Sequence, residues 1–96
     1  MSDHVIRSGD RAAFLAGLRE LIDFLTAHPA LAVPRYASFA VLVDAPDSAA
    51  RRDGVESVAA PLGVPTEDTG RGYFHARRDF GPISYAVVGV PPEERQ

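Results

Sequence analysis

The feature that most constrains this chain is one long apolar periodicity near its N-terminus. Residues 10–29 read "DRAAFLAGLRELIDFLTAHP", and large apolar side chains recur there every three or four positions. The members of this stripe are Phe14, Leu18, Leu21 and Leu25, with Leu15 and Ile22 beside them. This spacing predicts an amphipathic helix. Asp10 can accept the free amides of its first turn and Pro29 cannot continue it, so the helix is expected between these two residues.

A strand and a second helix are predicted next. "YASFAVLVD" at 36–44 alternates, and it places Phe39, Val41 and Val43 toward the core with Ser38 and Ala40 on the other face. "APDSAARRDGVESVAAPLGV" at 45–64 has a thinner apolar face and predicts a helix that starts with a cap at Asp47 or Ser48. Gly54 lies in its middle, at a cost of about 1 kcal/mol relative to alanine. Whether "VPTED" at 64–68 forms a strand stays open.

The C-terminal third predicts a β-hairpin. "GYFHARRDF" at 72–80 and "ISYAVVGV" at 83–90 flank Gly81-Pro82, a turn sequence. Pro91-Pro92 ends the second strand. On the first strand, Tyr73, His75 and Arg77 share one face because successive side chains alternate.

These elements predict one α+β domain. The simplest arrangement is a two-layer sandwich with both helices on one face of a three- to four-stranded mixed sheet, in the order α-β-α-(β)-β-β. Residues 1–9 are expected to be a flexible lead-in, 10–92 the single domain and 93–96 a C-terminal tail. The second sheet face then has no helix to cover it, and what covers that face is the structural question closest to function.

Composition excludes several classes of function. The chain of 96 residues contains no cysteine, which excludes disulfides, thiol catalysis and thiolate metal sites. It has no apolar run near the roughly 20 residues that span a bilayer and no signal-peptide pattern, so we expect a cytoplasmic protein without membrane contact. No spacing typical of metal ligands or nucleotide binding occurs, so no metal and no cofactor are predicted.

The basic part of the chain is the hairpin. Net charge is −3, yet residues 70–90 carry three arginines against one acidic residue. The candidate binding surface consists of Arg71, Tyr73, His75, Arg77, Arg78 and Tyr85, with Tyr73 and Tyr85 expected on the open sheet face. The competing interpretation is a solvated strand face. Alternation puts Arg78 on the apolar side, where it would reach past the sheet end, pair with Asp79 or Glu67, or mark a bulge.

Two other function classes remain as alternatives. The first is nucleic-acid binding through Arg71, Arg77 and Arg78, against which the acidic net charge weighs. The second is a small enzyme with His75 as general base, assisted by Asp79 or Asp44. No nucleophile motif of the G-x-S-x-G type accompanies His75. The segment "DAPD" is consistent with two interpretations. Asp44 and Asp47 either bind a metal ion, or they belong to a turn and to the N-cap of the next helix.

The segments "LRELIDFLTAHP", "YASFAVLVD" and "RDFGPISYAVVGVP" together resemble small uncharacterised proteins of actinobacteria and their phages or mobile elements. The resemblance covers most of the chain. It implies a bacterial or phage cytoplasmic context, and it carries no established activity and no site residues. The sequence therefore predicts a non-enzymatic interaction protein that forms a homodimer or binds a protein partner through the open sheet face and the hairpin.

Overall fold

The computed structural model describes residues 4–92 and contains two helices and five strands. In chain order these are β1 (Val5–Arg7), α1 (Arg11–Ala27), β2 (Ala37–Asp44), α2 (Ser48–Leu62), β3 (Glu67–Gly70), β4 (Tyr73–Phe80) and β5 (Ile83–Gly89). The predicted α+β class with a mixed sheet is confirmed. Across residues 4–92, no helix is both long and apolar enough to cross a membrane.

The five strands form one sheet in the order β1-β2-β5-β4-β3. β2 and β5 run parallel, and the other neighbours are antiparallel. The sequence predicted three or four strands and placed a helix first, so β1 and β3 extend that prediction. β1 has only three residues and β3 is a polar segment, EDTG, with every residue exposed. Neither shows the apolar alternation by which a strand is recognised.

The N-terminal segment contributes to the sheet. Val5, Ile6 and Arg7 pair with Asp44, Val43 and Leu42 of β2, so this part of the expected lead-in 1–9 is a strand. Residues 1–3 and the expected tail 93–96 lie outside the described residues.

The core lies between α2 and one face of the sheet. α2 packs against β2, β4 and β5, and its small residues permit a close approach. A Cβ at Gly54 would lie 2.4 Å from Cγ1 of Val43, so glycine is required at this contact. The buried cluster consists of Val43, Val55, Ala59, Phe74, Ala76 and Val87.

The longer helix, α1, is placed differently. Its predicted bounds are confirmed, with the Asp10 carboxylate accepting from the Ala13 amide at 3.1 Å. However, none of its residues is buried. Its aromatic contact with the sheet joins Phe14 to Phe39, edge to face, with ring centroids 5.6 Å apart. In the stripe that the sequence indicated, Phe14, Leu21 and Ile22 are exposed, and the other three members are only partly buried. α1 nevertheless lies on the same side of the sheet as α2.

Candidate functional surfaces

The residues proposed from the hairpin lie on two opposite faces of the sheet. Tyr73, His75 and Arg77 share one face, and the register places it on the side that carries no helix, a choice that the sequence left open. Arg78 pairs with Tyr85 across β4 and β5, and Tyr85 also lies opposite Phe39 of β2. Directly opposed residues share a face. The prediction that Tyr73 and Tyr85 share the open face is therefore wrong, because the register places Tyr85 on the face that carries α2.

The three hairpin arginines do not form one basic surface. Arg71 occupies the turn before β4 with a left-handed φ of 58°. Arg77 pairs with Asp79, with Nε 3.2 Å from Oδ1. Arg78 donates to the carbonyl of Leu62, at the end of α2, over 3.3 Å, and its guanidinium lies 4.9 Å from the Phe80 ring centroid. Of the three explanations offered for Arg78, this contact fits the one in which the side chain reaches past the end of the sheet. A cation near a helix C-terminus is stabilised by the helix dipole.

His75 does not lie beside the acids that the sequence proposed as its partners, Asp79 and Asp44. It lies opposite Val88 on one side and Glu67 on the other. Asp79 is four residues further along the same strand, roughly 13 Å away at the usual rise. Asp44 instead binds Arg7 through an ion pair and hydrogen bond, which raises the pKa of Arg7.

The "DAPD" segment forms a turn followed by a helix cap. The Asp47 carboxylate accepts from the Ala50 amide at 2.8 Å and caps α2. Within residues 4–92 no group of three or more histidine or acidic residues could hold a metal ion. Asp44 and Asp47 thus serve an ion pair and a helix start.

The open sheet face is uncovered by either helix, but it is mostly small and polar. Its centre carries Ser38 and Ser84, whose hydroxyls lie 3.2 Å apart, and the small Ala40 and Ala86 beside them. Among the described residues, the large exposed hydrophobic side chains on this face are Val5 and Leu42, both near β1, and Tyr36, which lines a pocket with Arg77 and Ser84 at the other end. The face therefore offers little apolar area for a partner.

A much larger apolar area lies on α1 and the loop after it. We call it the apolar helix surface. Its members, each at least half exposed, are Phe14, Leu21, Ile22, Phe24, Leu31 and Val33. The end of the sheet that α2 does not reach adds Phe80 and Ile83 on the same side. Two exposed apolar surfaces therefore occur on one side of the molecule.

A groove of about 760 Å³ separates the beginning of α1 from the edge of β2. Phe14 and Leu15 form one wall, residues 38–41 form another, and residues 7–11 close one end. β1 pairs only with Leu42, Val43 and Asp44. The N-terminal half of β2, residues 37–41, thus has no strand partner on this side within the described part of the chain.

One buried residue was missed by the sequence predictions. Arg51 is 5% exposed; its Nε donates to the Gly72 carbonyl at 3.0 Å and its Nη1 to the Ala45 carbonyl at 2.9 Å. It therefore ties α2 to the end of β2 and to the turn before β4. The sequence did contain a signal, because Arg51 precedes Val55 and Ala59 by four and eight positions on the buried side of α2.

Comparisons with known proteins found no matching family, no matching curated protein and no matching solved structure. The surfaces described above are therefore the basis for inferring function. They comprise a dispersed set of arginines, a small polar sheet face, an exposed apolar helix and an open strand edge.

Proposed function

We propose that this chain is a non-enzymatic interaction protein that acts as a homodimer, assembled through the apolar helix surface. The observation that carries the proposal is that α1, the helix with the strongest apolar periodicity, has no buried residue. An amphipathic helix in a globular protein is stabilised mainly by burying its apolar stripe. A contiguous apolar patch of this extent is typical of an interaction site.

The exposed area is of the size that marks interaction sites. The six side chains of the apolar helix surface are between 50% and 64% exposed. A fully buried aromatic side chain covers roughly 150–250 Å², so Phe14 and Phe24 alone expose on the order of 200 Å². With the four aliphatic side chains the patch reaches several hundred Å², the extent at which surface patches are often functional.

A second copy of the chain is the partner that these surfaces suit best. A twofold contact needs a patch that is complementary to itself. The chain supplies both an apolar helix and an uncovered apolar sheet end on the same side. α1 carries two arginines and two acidic residues, so two copies meet without net charge repulsion. The charged members are Arg11, Arg19, Glu20 and Asp23.

The test is the solution molar mass, measured by light scattering over a range of concentrations and at two salt levels. We expect a mass of twice 10.3 kDa at high concentration. We also expect that raising the salt does not weaken the dimer, because the contact is apolar. A nucleic-acid complex would instead lose affinity steeply with salt. A monomer at all concentrations would contradict the proposal.

Leu21→Asp is expected to raise the dissociation constant by at least about 30-fold. The substitution places an unpaired carboxylate in the centre of the apolar helix surface, and central interface residues commonly contribute about 2 kcal/mol or more. Leu21 is 52% exposed, so the monomer should keep its fold, which circular dichroism would verify.

Ala16→Asp is the matched control for this variant. Ala16 is exposed on the same helix, and five positions along a helix turn it toward the opposite side from Leu21. The control adds the same charge to the same helix and should change the dissociation constant by no more than about twofold. A residue at the centre of the interface would change it far more. Equal weakening by both substitutions would show that charge on α1, and not loss of the apolar contact, disrupts the dimer.

A further inference from the structure

The edge of the sheet at residues 37–41 of β2 is available for strand pairing. Exposed strand edges in native proteins are usually short, charged or bulged, because they otherwise pair with other chains. β3, at the far side of the sheet, meets all three conditions: it has four residues, includes Glu67 and Asp68, and contains a register shift. Residues 37–41, ASFAV, contain no charge and no proline. On the side away from β5, the groove beside α1 adjoins them.

The direction of the backbone groups on this edge follows from the pairing with β5. The Ala37 amide donates to the Pro82 carbonyl, so Ala37 turns its backbone groups toward β5. Because this direction alternates along a strand, Ser38 and Ala40 turn their amides and carbonyls toward the open edge. Leu42, the next even position, is paired with Arg7 of β1.

We propose that the second copy of the chain pairs with this edge, β2 against β2, antiparallel about a twofold axis at Phe39. This inference rests on the proposed homodimer and assigns the centre of its interface. With the axis at Phe39, Ser38 of each copy lies opposite Ala40 of the other. Both are residues whose backbone groups point outward, so each such pair exchanges two hydrogen bonds and every outward group is satisfied. The two five-stranded sheets then become continuous.

The length of the open segment fits this arrangement. In the antiparallel register, residue 37 of one copy lies opposite residue 41 of the other. The next residue of the incoming chain would meet Arg7, which already occupies the edge beside Leu42. β2 begins at Ala37, so the incoming chain leaves the sheet before this collision.

The side chains also fit. Ser38 and Ala40 are small and lie on the open face, where nothing obstructs a neighbouring strand. The Phe39 side chains of the two copies meet on the α1 side. There Phe39 lines the same groove as Phe14, Leu15 and Val41 of its own copy, so the two grooves adjoin across the axis. One twofold axis therefore brings together the open edge and the exposed helix.

The experiment uses cysteine crosslinking, which has no background because the chain contains no cysteine. Ser38→Cys and Ala40→Cys are purified separately, mixed at dimer-forming concentration and oxidised mildly. Paired residues in this position have Cα atoms about 5.5 Å apart, within the range for a disulfide. Both residues are exposed, so neither substitution disturbs the core.

We expect the mixture to form at least about ten times more covalent dimer than either variant alone. In each variant alone the two cysteines are displaced along the strands by two positions, about 8–9 Å apart, which is too far for a disulfide. Crosslinking of Ala40→Cys alone would indicate a different register and overturn the proposal.

Light scattering on the same unoxidised samples separates this inference from the proposed function. Dimers that fail to crosslink in the mixture would overturn the β2 pairing and leave self-association standing. Their edge would then be free for an extended segment of another protein. Monomers in every sample, including the unsubstituted chain, would overturn both.

Discussion

Arg51→Ala is expected to lower the free energy of unfolding by about 3 kcal/mol, the largest effect of any single substitution considered for this fold. The Arg51 guanidinium donates to the carbonyls of Ala45 and Gly72 and is almost fully buried. Removing it takes one donor from each of those carbonyls and opens a cavity beneath α2, and each effect costs on the order of 1–3 kcal/mol. For a chain of this length the melting temperature should fall by roughly 12–24 °C, measurable by thermal circular dichroism.

Arg52→Ala is the control for this experiment. Arg52 is the next residue, is exposed, and pairs with Glu56 over 3.6 Å. Such exposed pairs contribute at most about 1 kcal/mol, so this variant should remain close to the unsubstituted protein.

Arg51→Met separates the two causes, because methionine fills much of the volume without supplying donors. We expect a loss of about 1–2 kcal/mol from the two carbonyls alone. If Arg51→Ala proved no more destabilising than Arg52→Ala, the hydrogen bonds by which Arg51 connects α2 to the end of β2 and to the turn before β4 would not contribute to stability.

The helices and strands of this fold were predictable where the residues of a segment themselves show a helical or strand periodicity and its end points. The bounds of α1 follow from a 3.6-residue period closed by Asp10 and Pro29. β2 follows from alternation, which correctly placed Val43 in the core. Periodicity shows that a helix has an apolar face, but it does not show which part of the protein covers that face. The stronger stripe of α1 therefore suggested a core helix, although α2 covers the sheet.

The weak apolar pattern of α2 has a physical reason. Its buried residues are mostly small, with Ala50, Gly54 and Ala59 among them. Small side chains let a helix approach a sheet closely, and the core is then supplied by the larger residues of the strands. A search for large apolar side chains at helical spacing therefore underestimates how deeply such a helix is buried.

Part of the surface could have been predicted from the turn alone. The turn at Gly81-Pro82 pairs Phe80 with Ile83, and this register places Arg78 opposite Tyr85. Counting from the turn would have separated Tyr85 from Tyr73. The open edge of β2 could not be foreseen, because it depends on β1 stopping after three residues.

Gly54→Ala is expected to destabilise the protein by about 2–3 kcal/mol, against the direction of helix propensity. Alanine in the interior of a helix normally stabilises by about 1 kcal/mol relative to glycine. At this position the new Cβ would lie 2.4 Å from Cγ1 of Val43 and 3.0 Å from the His4 ring. Val43 is fully buried, so either α2 or the core around Val43 must shift to relieve the contact. Overpacking of this kind typically costs about 1–3 kcal/mol.

Gly17→Ala makes the same chemical change on the other helix and should have the opposite sign. Gly17 lies in the interior of α1, and a Cβ there would meet no atom within 4 Å. The substitution should therefore raise the free energy of unfolding by about 0.5–1 kcal/mol, through the reduced entropy of the unfolded chain. Urea unfolding of both variants measures the difference directly. If Gly54→Ala stabilised the protein as much as Gly17→Ala, α2 would not pack closely on β2, and the core described for this fold would be wrong.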